Sequence, residues 1–392
     1  MFGSNGYFDD AELKRKIETM RGRELKEVAY PEHDEYTEVS DKERLCKHPV
    51  VSVGMLAYNQ EKFIRQAIEG VMMQETTFEF ELIIAEDCST DDTREICLEY
   101  QRRYPDKIRV LYGAENTYRK YGSVKVNGRR IQSTVRAELI ALCEGDDYWI
   151  SKTKLARQYE VFCRNPEVSL CYTRTKYRYE ETGNEVVPVI GVTPGLIKGA
   201  DFWRALVWRK GTKINTCSCM YRFRPLLEFC ARLQFPAWDW LLGDVPMMIC
   251  NSYLGDVYLL DSVDCVYRIN RHSISQTTGG GVEVDNHCIS AYLSYLLFHL
   301  PFSKFPHLAL SFRNRMIRIA RGQDSDNRFA SLFSTSVYCP LLKNPLVLLY
   351  YPLVKLFPHN DSVYAFVHDG AWSGVRRLVR KVGAKPVKRR RA

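Results

Sequence analysis

Residues 50–74, VVSVGMLAYNQEKFIRQAIEGVMMQ, hold the pattern on which the reading of this chain turns. VVSVGML (50–56) is short, apolar and rich in β-branched residues, as expected of a strand buried on both faces. The polar turn Ala57-Tyr58-Asn59-Gln60 follows. Phe63, Ile64, Ala67, Ile68, Val71 and Met72 then fall on one stripe at helical spacing. Strand, turn and helix in that order open an α/β unit.

The same alternation continues downstream. FELIIA (80–85) reads as a strand, Asp91 to Tyr104 as a helix capped by Ser89 or Thr90, and KIRVLY (107–112) as a strand. Helix-like residues 131–138 lead into the strand LIALC (139–143), and KTKLARQYEVFC (152–163) reads as another helix. This succession predicts an α/β fold, a mostly parallel sheet flanked by helices, whose ligands bind at the carboxyl ends of the strands. Three polar clusters lie at such ends: Tyr58-Asn59, Glu86-Asp87, and the acids of ALCEGDDYW (141–149).

Glu144, Asp146 and Asp147 repel one another unless something positive neutralises them. The plain alternative is a loop capping the helix that begins near Ser151. Three acids after a buried strand, with a second acidic pair at Glu86-Asp87, exceed what a cap needs. Hard divalent cations such as Mg²⁺ or Mn²⁺ prefer carboxylate oxygens, and Mg²⁺ is usually held by one or two of them plus a substrate's phosphates. Neither G-x-G-x-x-G nor G-x-x-x-x-G-K-[ST] follows the first strand. A metal-held diphosphate that serves as leaving group is the reading that remains.

VSVGMLAYNQEKFIRQAIEGVMMQ, FELIIAEDCSTDDT and IALCEGDDYWISKTKLARQYEVF closely resemble the family 2 glycosyltransferases of GT-A fold, with their VSV-x-M-x-[TA]-YN, ELII-x-DD-x-STD and DxD-type metal motifs. The resemblance runs from about Val50 to His272. It implies inverting transfer of a sugar from a nucleotide diphosphate sugar, usually a UDP-sugar, to a glycan, polysaccharide or lipid-linked acceptor. By the same resemblance Ala57 and Tyr58, with Asn59 beside them, line the base pocket, and Asp87 accepts a hydrogen bond from uracil or ribose. Glu86 stands where the family usually has Asp. Asp146 lies near the ribose or sugar, and Asp147 binds the metal. Tyr148 and Trp149 either shape the sugar pocket or pack on the sheet.

Inverting transfer needs a base. The family's G-D-x-P-L segment is matched by Gly243-Asp244-Val245-Pro246, which makes Asp244 the candidate and Asp239 the reserve; read alone, Asp244 is a helix N-cap. DCVYRINRHSIS (264–275) resembles the segment that closes over the diphosphate. There His272 completes the metal shell, or contacts phosphate together with Arg268. NTCSCMYRFRPLL (215–227) resembles an acceptor-side strand, with a plain core strand as the stronger reading. Two rivals remain. A nucleotidyltransferase needs a basic residue near the first strand, where this chain has Ala-Tyr-Asn-Gln. A non-catalytic nucleotide-sugar-binding protein would not need Asp147 and Asp244.

The chain has 392 residues, 45% hydrophobic and 26% charged, which excludes disorder of the whole. Residues 1–46 read as an N-terminal extension with a helix near Asp10 to Arg23, 47–281 as the catalytic domain, 282–372 as a helical, apolar C-terminal region, and 373–392 as a basic tail. The tail holds nine Lys or Arg and no acid, which accounts for the whole formal charge of +9. The 13 cysteines are scattered, as reduced thiols in a cytoplasmic protein would be. The N-terminus lacks a signal-peptide core, and SLFSTSVYCPLLKNPLVLLYYPLVKLF (331–357) is broken by prolines and lysines. Peripheral contact with an anionic membrane at its inner face, through that segment and the tail, is therefore expected. No nucleic-acid-binding module is recognisable.

Overall fold

The computed structural model describes residues 35–121, 125–207, 214–223, 226 and 244–270. The helix expected near Asp10, together with Asp239, His272, the C-terminal region and the basic tail, lies outside the described residues. Among those residues one sheet of eleven strands forms the centre. Its members are β1 (Tyr36–Val39), β2 (Val51–Ala57), β3 (Phe80–Glu86), β4 (Ile108–Gly113), β5 (Leu139–Leu142), β6 (Tyr148–Trp149), β7 (Val168–Tyr179), β8 (Glu185–Val186), β9 (Gly195–Ile197), β10 (Cys219–Arg222) and β11 (Asp256–Ile269). The spatial order is β1-β4-β3-β2-β5-β10-β7-β11-β6, with β8 on β7 and β9 on β11.

The apolar runs became central strands because both their faces are covered. β2 and β3 pair in parallel, and all seven residues of β3 are buried. β4 and β5 join them in parallel on either side. Beyond β5 the sheet is mixed: β10 runs antiparallel to β5 and β7, and β7 and β11 are long parallel partners. The parallel character read from the sequence thus belongs to the first half of the domain. Helix α1 (Ile64–Met72) buries Ile64, Ala67, Ile68 and Val71, the expected stripe. It approaches the sheet closely at Gly70, where an added Cβ would lie 2.9 Å from the Trp149 backbone.

Three local expectations are corrected. α2 (Thr93–Arg103) begins at Asp92 and is not capped by Ser89 or Thr90. Asp91 instead accepts from the Thr93 amide and hydroxyl, at 3.1 and 2.6 Å. After the short α3 (Thr117–Tyr121), α4 spans Lys125–Thr134 rather than 131–138. Ser133, Thr134 and Val135 are poor helix formers, and the Arg109 guanidinium takes the Thr134 carbonyl at 2.7 Å, closing the helix there. Residues 36–39 are no appended arm either, since β1 pairs antiparallel with β4 and the sheet begins before the boundary at 47.

β1 is held by a buried charge network. Glu81, fully buried within β3, accepts from Ser52 at 2.6 Å, Arg109 at 3.3 Å and Arg136 at 3.1 Å. Arg109 also forks onto Glu38 of β1 at 2.9 and 3.1 Å. These residues sit near the amino-terminal ends of β2, β3 and β4, away from the polar turns. The ten described cysteines are all free, and no described helix is long and apolar enough to cross a membrane.

Candidate functional site

The parallel register brings the carboxyl ends of the first strands together, with Ala57 opposite Glu86 and Glu86 opposite Tyr112. The loops that follow β2 and β3 are laced to each other. The Asn59 amide donates to the Ser89 hydroxyl at 3.0 Å, and the Thr90 amide donates to the Asn59 side chain at 2.9 Å. Ser89 and Thr90, expected as helix caps, are spent here. Asn59 and Cys88 both adopt positive φ, 50° and 57°, which bends each loop sharply as it leaves its strand. Tyr58 is half-buried.

The acidic pair after β3 acts within this scaffold. Glu86 is fully buried, and its two oxygens accept from the Ser89 amide and from Arg94, each at 2.5 Å. Its extra methylene relative to Asp is what reaches Arg94, which stacks over Tyr112. Glu86, expected among the donor-binding residues, is held from inside the scaffold by the Ser89 amide and Arg94. Asp87 caps α3: its oxygens accept from the Thr117 amide and hydroxyl, at 2.8 and 2.6 Å, and from the Tyr118 amide at 3.0 Å.

The E-G-D-D turn caps no helix, for it leads into β6, which pairs with β11. That pairing brings Arg268 to the acids. Its backbone amide donates to Asp147 at 2.9 Å, and its guanidinium donates to the Asp146 carbonyl at 2.6 Å and to Gln66. Glu180 pairs with it at 3.1 Å, and the Phe63 and Tyr148 rings flank it at 4.9 and 4.3 Å. Arg268 is thus turned inward, with 5% of its side chain exposed, and braces the turn rather than reaching for phosphate. Trp149 is core: its indole donates to the Cys217 carbonyl at 2.8 Å, and the buried Lys154 lies over its ring. Segment 215–227 likewise supplies the buried strand β10. Gly145 approaches β2 so closely that an added Cβ would meet the Gln60 side chain and lie 2.7 Å from Ile64. Gly145→Ala should therefore cost roughly 1–3 kcal/mol of stability, read from a denaturant midpoint. An unchanged midpoint would show that the turn yields freely.

Asp244 opens α5 (Asp244–Leu254), and its charge is felt at Glu144. Burial pushes the Glu144 carboxyl up to about 7; a bond from Thr216 opposes this, and the charges of Asp146 and Asp244 add to it. Burial raises Asp147 well above the usual range, with Asp146 and Glu144 contributing, and it raises Asp146 and Asp244 too. Glu144, Asp146 and Asp147 thus act on one another, Asp244 acts on Glu144, and Arg268 offsets the charge of Asp146. Of the expected site residues, the structure brings Asp146, Asp147 and Asp244 together with Glu144. It places Ala57, Tyr58, Asn59 and Asp87 on the adjoining loops. Gln66, Glu180, Asn215 and Thr216 were missed, since nothing in their local sequence marks them.

Crowded carboxylates of raised proton affinity are hard oxygen donors, and a divalent cation relieves the same repulsion that protons relieve. Among the described residues no three His, Cys, Asp or Glu side chains enclose a point by themselves. The donor set fits an ion that draws its remaining ligands from a bound phosphate.

The parallel half of the sheet, whose carboxyl ends collect two laced loops and an acidic turn, is the arrangement expected of the GT-A fold. Residues 52–229 match the model of the family described as Glycosyl transferase family 2. An uncharacterized protein of Mycobacterium tuberculosis is 31% identical over 233 residues, 57% of this chain and 60% of that protein. The minor teichoic acid biosynthesis protein GgaA of Bacillus subtilis is 29% identical over 128 residues, 32% of this chain and 28% of that protein. The crystal structure of S. aureus TarS 1–349 in complex with UDP-GlcNAc aligns with a TM-score of 0.51 at 16% identity, over 81% of this chain and 83% of that one, and shares the fold. The chain spans about 60% of the length of its mycobacterial relative. Residues 52–229 therefore form a family 2 glycosyltransferase domain of GT-A fold.

Proposed function

We propose that this chain is an inverting glycosyltransferase that moves a sugar from a nucleotide diphosphate sugar, of UDP type, to a hydroxyl of a glycan, polysaccharide or lipid-linked acceptor. The observation that carries the reading is the crowding of Glu144, Asp146 and Asp147 in the E-G-D-D turn, with the Asp244 charge acting on Glu144. Tyr58, Asn59 and Ala57 would flank the base, and Asp146 would face the ribose or sugar. Asp87 would meet the uracil or ribose through lone pairs left over from its capping of α3. Asp147, with His272 from the segment beyond Asn270, would hold Mn²⁺ or Mg²⁺, whose charge would offset that of the departing diphosphate.

The chemistry assigned to the chain's own residues is short. Asp244 takes the proton of the acceptor hydroxyl as that oxygen attacks the anomeric carbon. The bond from the anomeric carbon to the diphosphate oxygen breaks, the electron pair leaves with the nucleotide diphosphate, and the configuration inverts. Arg268 holds the turn in place throughout, through the Asp147 carboxylate and the Asp146 carbonyl.

Calorimetry with UDP in the presence and absence of Mn²⁺, followed by assay of UDP-sugar hydrolysis, tests this reading. Asp147→Asn should remove the gain in UDP affinity that Mn²⁺ confers and abolish turnover. Equal affinity of mutant and parent in Mn²⁺ would refute the assignment. Binding without hydrolysis would favour a nucleotide-sugar-binding protein. Attack on a nucleoside triphosphate would favour a nucleotidyltransferase.

The nine-cation tail supports peripheral attachment to an anionic membrane, with attraction of about 1 kcal/mol per cation near the surface. Deleting residues 373–392 should release the protein from phosphatidylserine vesicles at physiological salt. Unchanged co-sedimentation would assign the tail another purpose.

A further inference from the structure

Three buried hydrogen-bond acceptors around the catalytic turn meet no donor: Glu144 Oε2, Asn215 Oδ1 and Asp244 Oδ1. They are linked. The Thr216 hydroxyl, one residue from Asn215, bonds the Glu144 carboxyl, and the Asp244 charge acts on that same group. Asn215 is fixed from several sides. Its main-chain carbonyl accepts from the Ser218 amide at 2.9 Å, the Ser218 hydroxyl at 2.7 Å and the Cys219 thiol at 3.5 Å. Its side-chain amide bonds the Tyr177 phenol, which commits the nitrogen and leaves Oδ1 as the open face.

Buried acceptors without donors are costly to a folded protein, and a bound ligand that supplies donors removes that cost. The ligand's chemistry follows from theirs. Asn215 Oδ1 is an acceptor, and the Glu144 and Asp244 oxygens accept when ionised, which calls for hydroxyl or amide hydrogens. The hydroxyls of a pyranose ring are donors of that kind.

We infer that Asn215, together with Glu144, reads the hydroxyl configuration of a sugar ring bound beside Asp244. The inference rests on the glycosyltransferase reading and adds to it the residues that select the sugar. The ring belongs either to the donor or to the acceptor; the chemistry is shared, and the test separates the two.

The test uses the full chain in Mn²⁺, with UDP, UDP-glucose, UDP-galactose and UDP-GlcNAc as probes and the α- and β-methyl glycosides of glucose and galactose as acceptor probes. UDP alone, which lacks the hexose, is the internal reference. Asn215→Ala, the isosteric Asn215→Asp and Glu144→Gln are compared with the parent by calorimetry and by rates of UDP release. Loss of about tenfold in the parent's preference among the UDP-hexoses, with UDP affinity held, assigns the ring to the donor. Preserved donor preference with about tenfold loss in discrimination between glycoside epimers assigns it to the acceptor. Preferences unmoved in all three variants, at parental UDP affinity, would overturn the inference. A parent with no affinity for UDP would remove the glycosyltransferase reading itself and the inference with it.

Discussion

Asp244→Asn should reduce sugar transfer by about 10² to 10⁴, the usual contribution of a positioned acid or base, while UDP and metal binding persist. The carboxylate opens α5, its Oδ1 is buried without a partner, and the bonds it accepts from the Val245 amide and its own amide are ones the oxygen of an asparagine can also take. On the proposed reading its charge is needed when the acceptor hydroxyl loses its proton. Burial raises its pKa above the ordinary carboxylate value. A base works deprotonated, so the acidic limb of the rate profile should lie above the usual carboxylate range and vanish in the mutant. Asp239→Asn is the control. Should Asp239→Asn be inactive with intact binding while Asp244→Asn turns over normally, the base lies five residues upstream of its proposed place.

Glu81→Gln should lower stability by about 3 kcal/mol, the low end of the range for removing one partner of a buried ion pair. The low end applies because Arg109 keeps its fork onto Glu38, and Arg136 is a third exposed. With Glu81 neutral, Arg136 and one arm of Arg109 lose a fully buried carboxylate, and β1 loses part of its anchor on β4. Turnover per folded molecule should hold, since the network sits at the end of the strands opposite the acidic turn. A urea midpoint together with kcat reads both quantities. A full loss of kcat at an unchanged midpoint would show that the network serves the site and not the sheet.

The legibility of this chain follows the reach of each interaction. β2, β3 and α1 were plain because burial on both faces, or on one stripe, writes itself into consecutive residues. α4 was misplaced because VNGRRIQST carries a glycine and little apolar periodicity, and its end is set by Arg109 from another strand. The acids Asp146, Asp147 and Asp244 were legible by type and motif. The use made of Glu86 was not, since its partner Arg94 lies eight residues on and an arginine there reads as ordinary helix surface. Arg268 shows the same limit more strongly. Its partners come from α1, the acidic turn and the segment after β7, and only the fold brings the three together.

The pairing of β11 with β6 and β7 also sets an order of events during synthesis. The acidic turn is translated some 120 residues before the amide of Arg268 that fixes it. A contact of such long sequence separation closes late, because the entropy of the intervening loop must be overcome first. On the ribosome, the first half of the domain can collapse around β2, β3 and β4 while Asp146 and Asp147 still lack their brace. Competence for chemistry therefore arrives with the last described strand, and a nascent chain short of residue 268 would carry the motif without a formed centre.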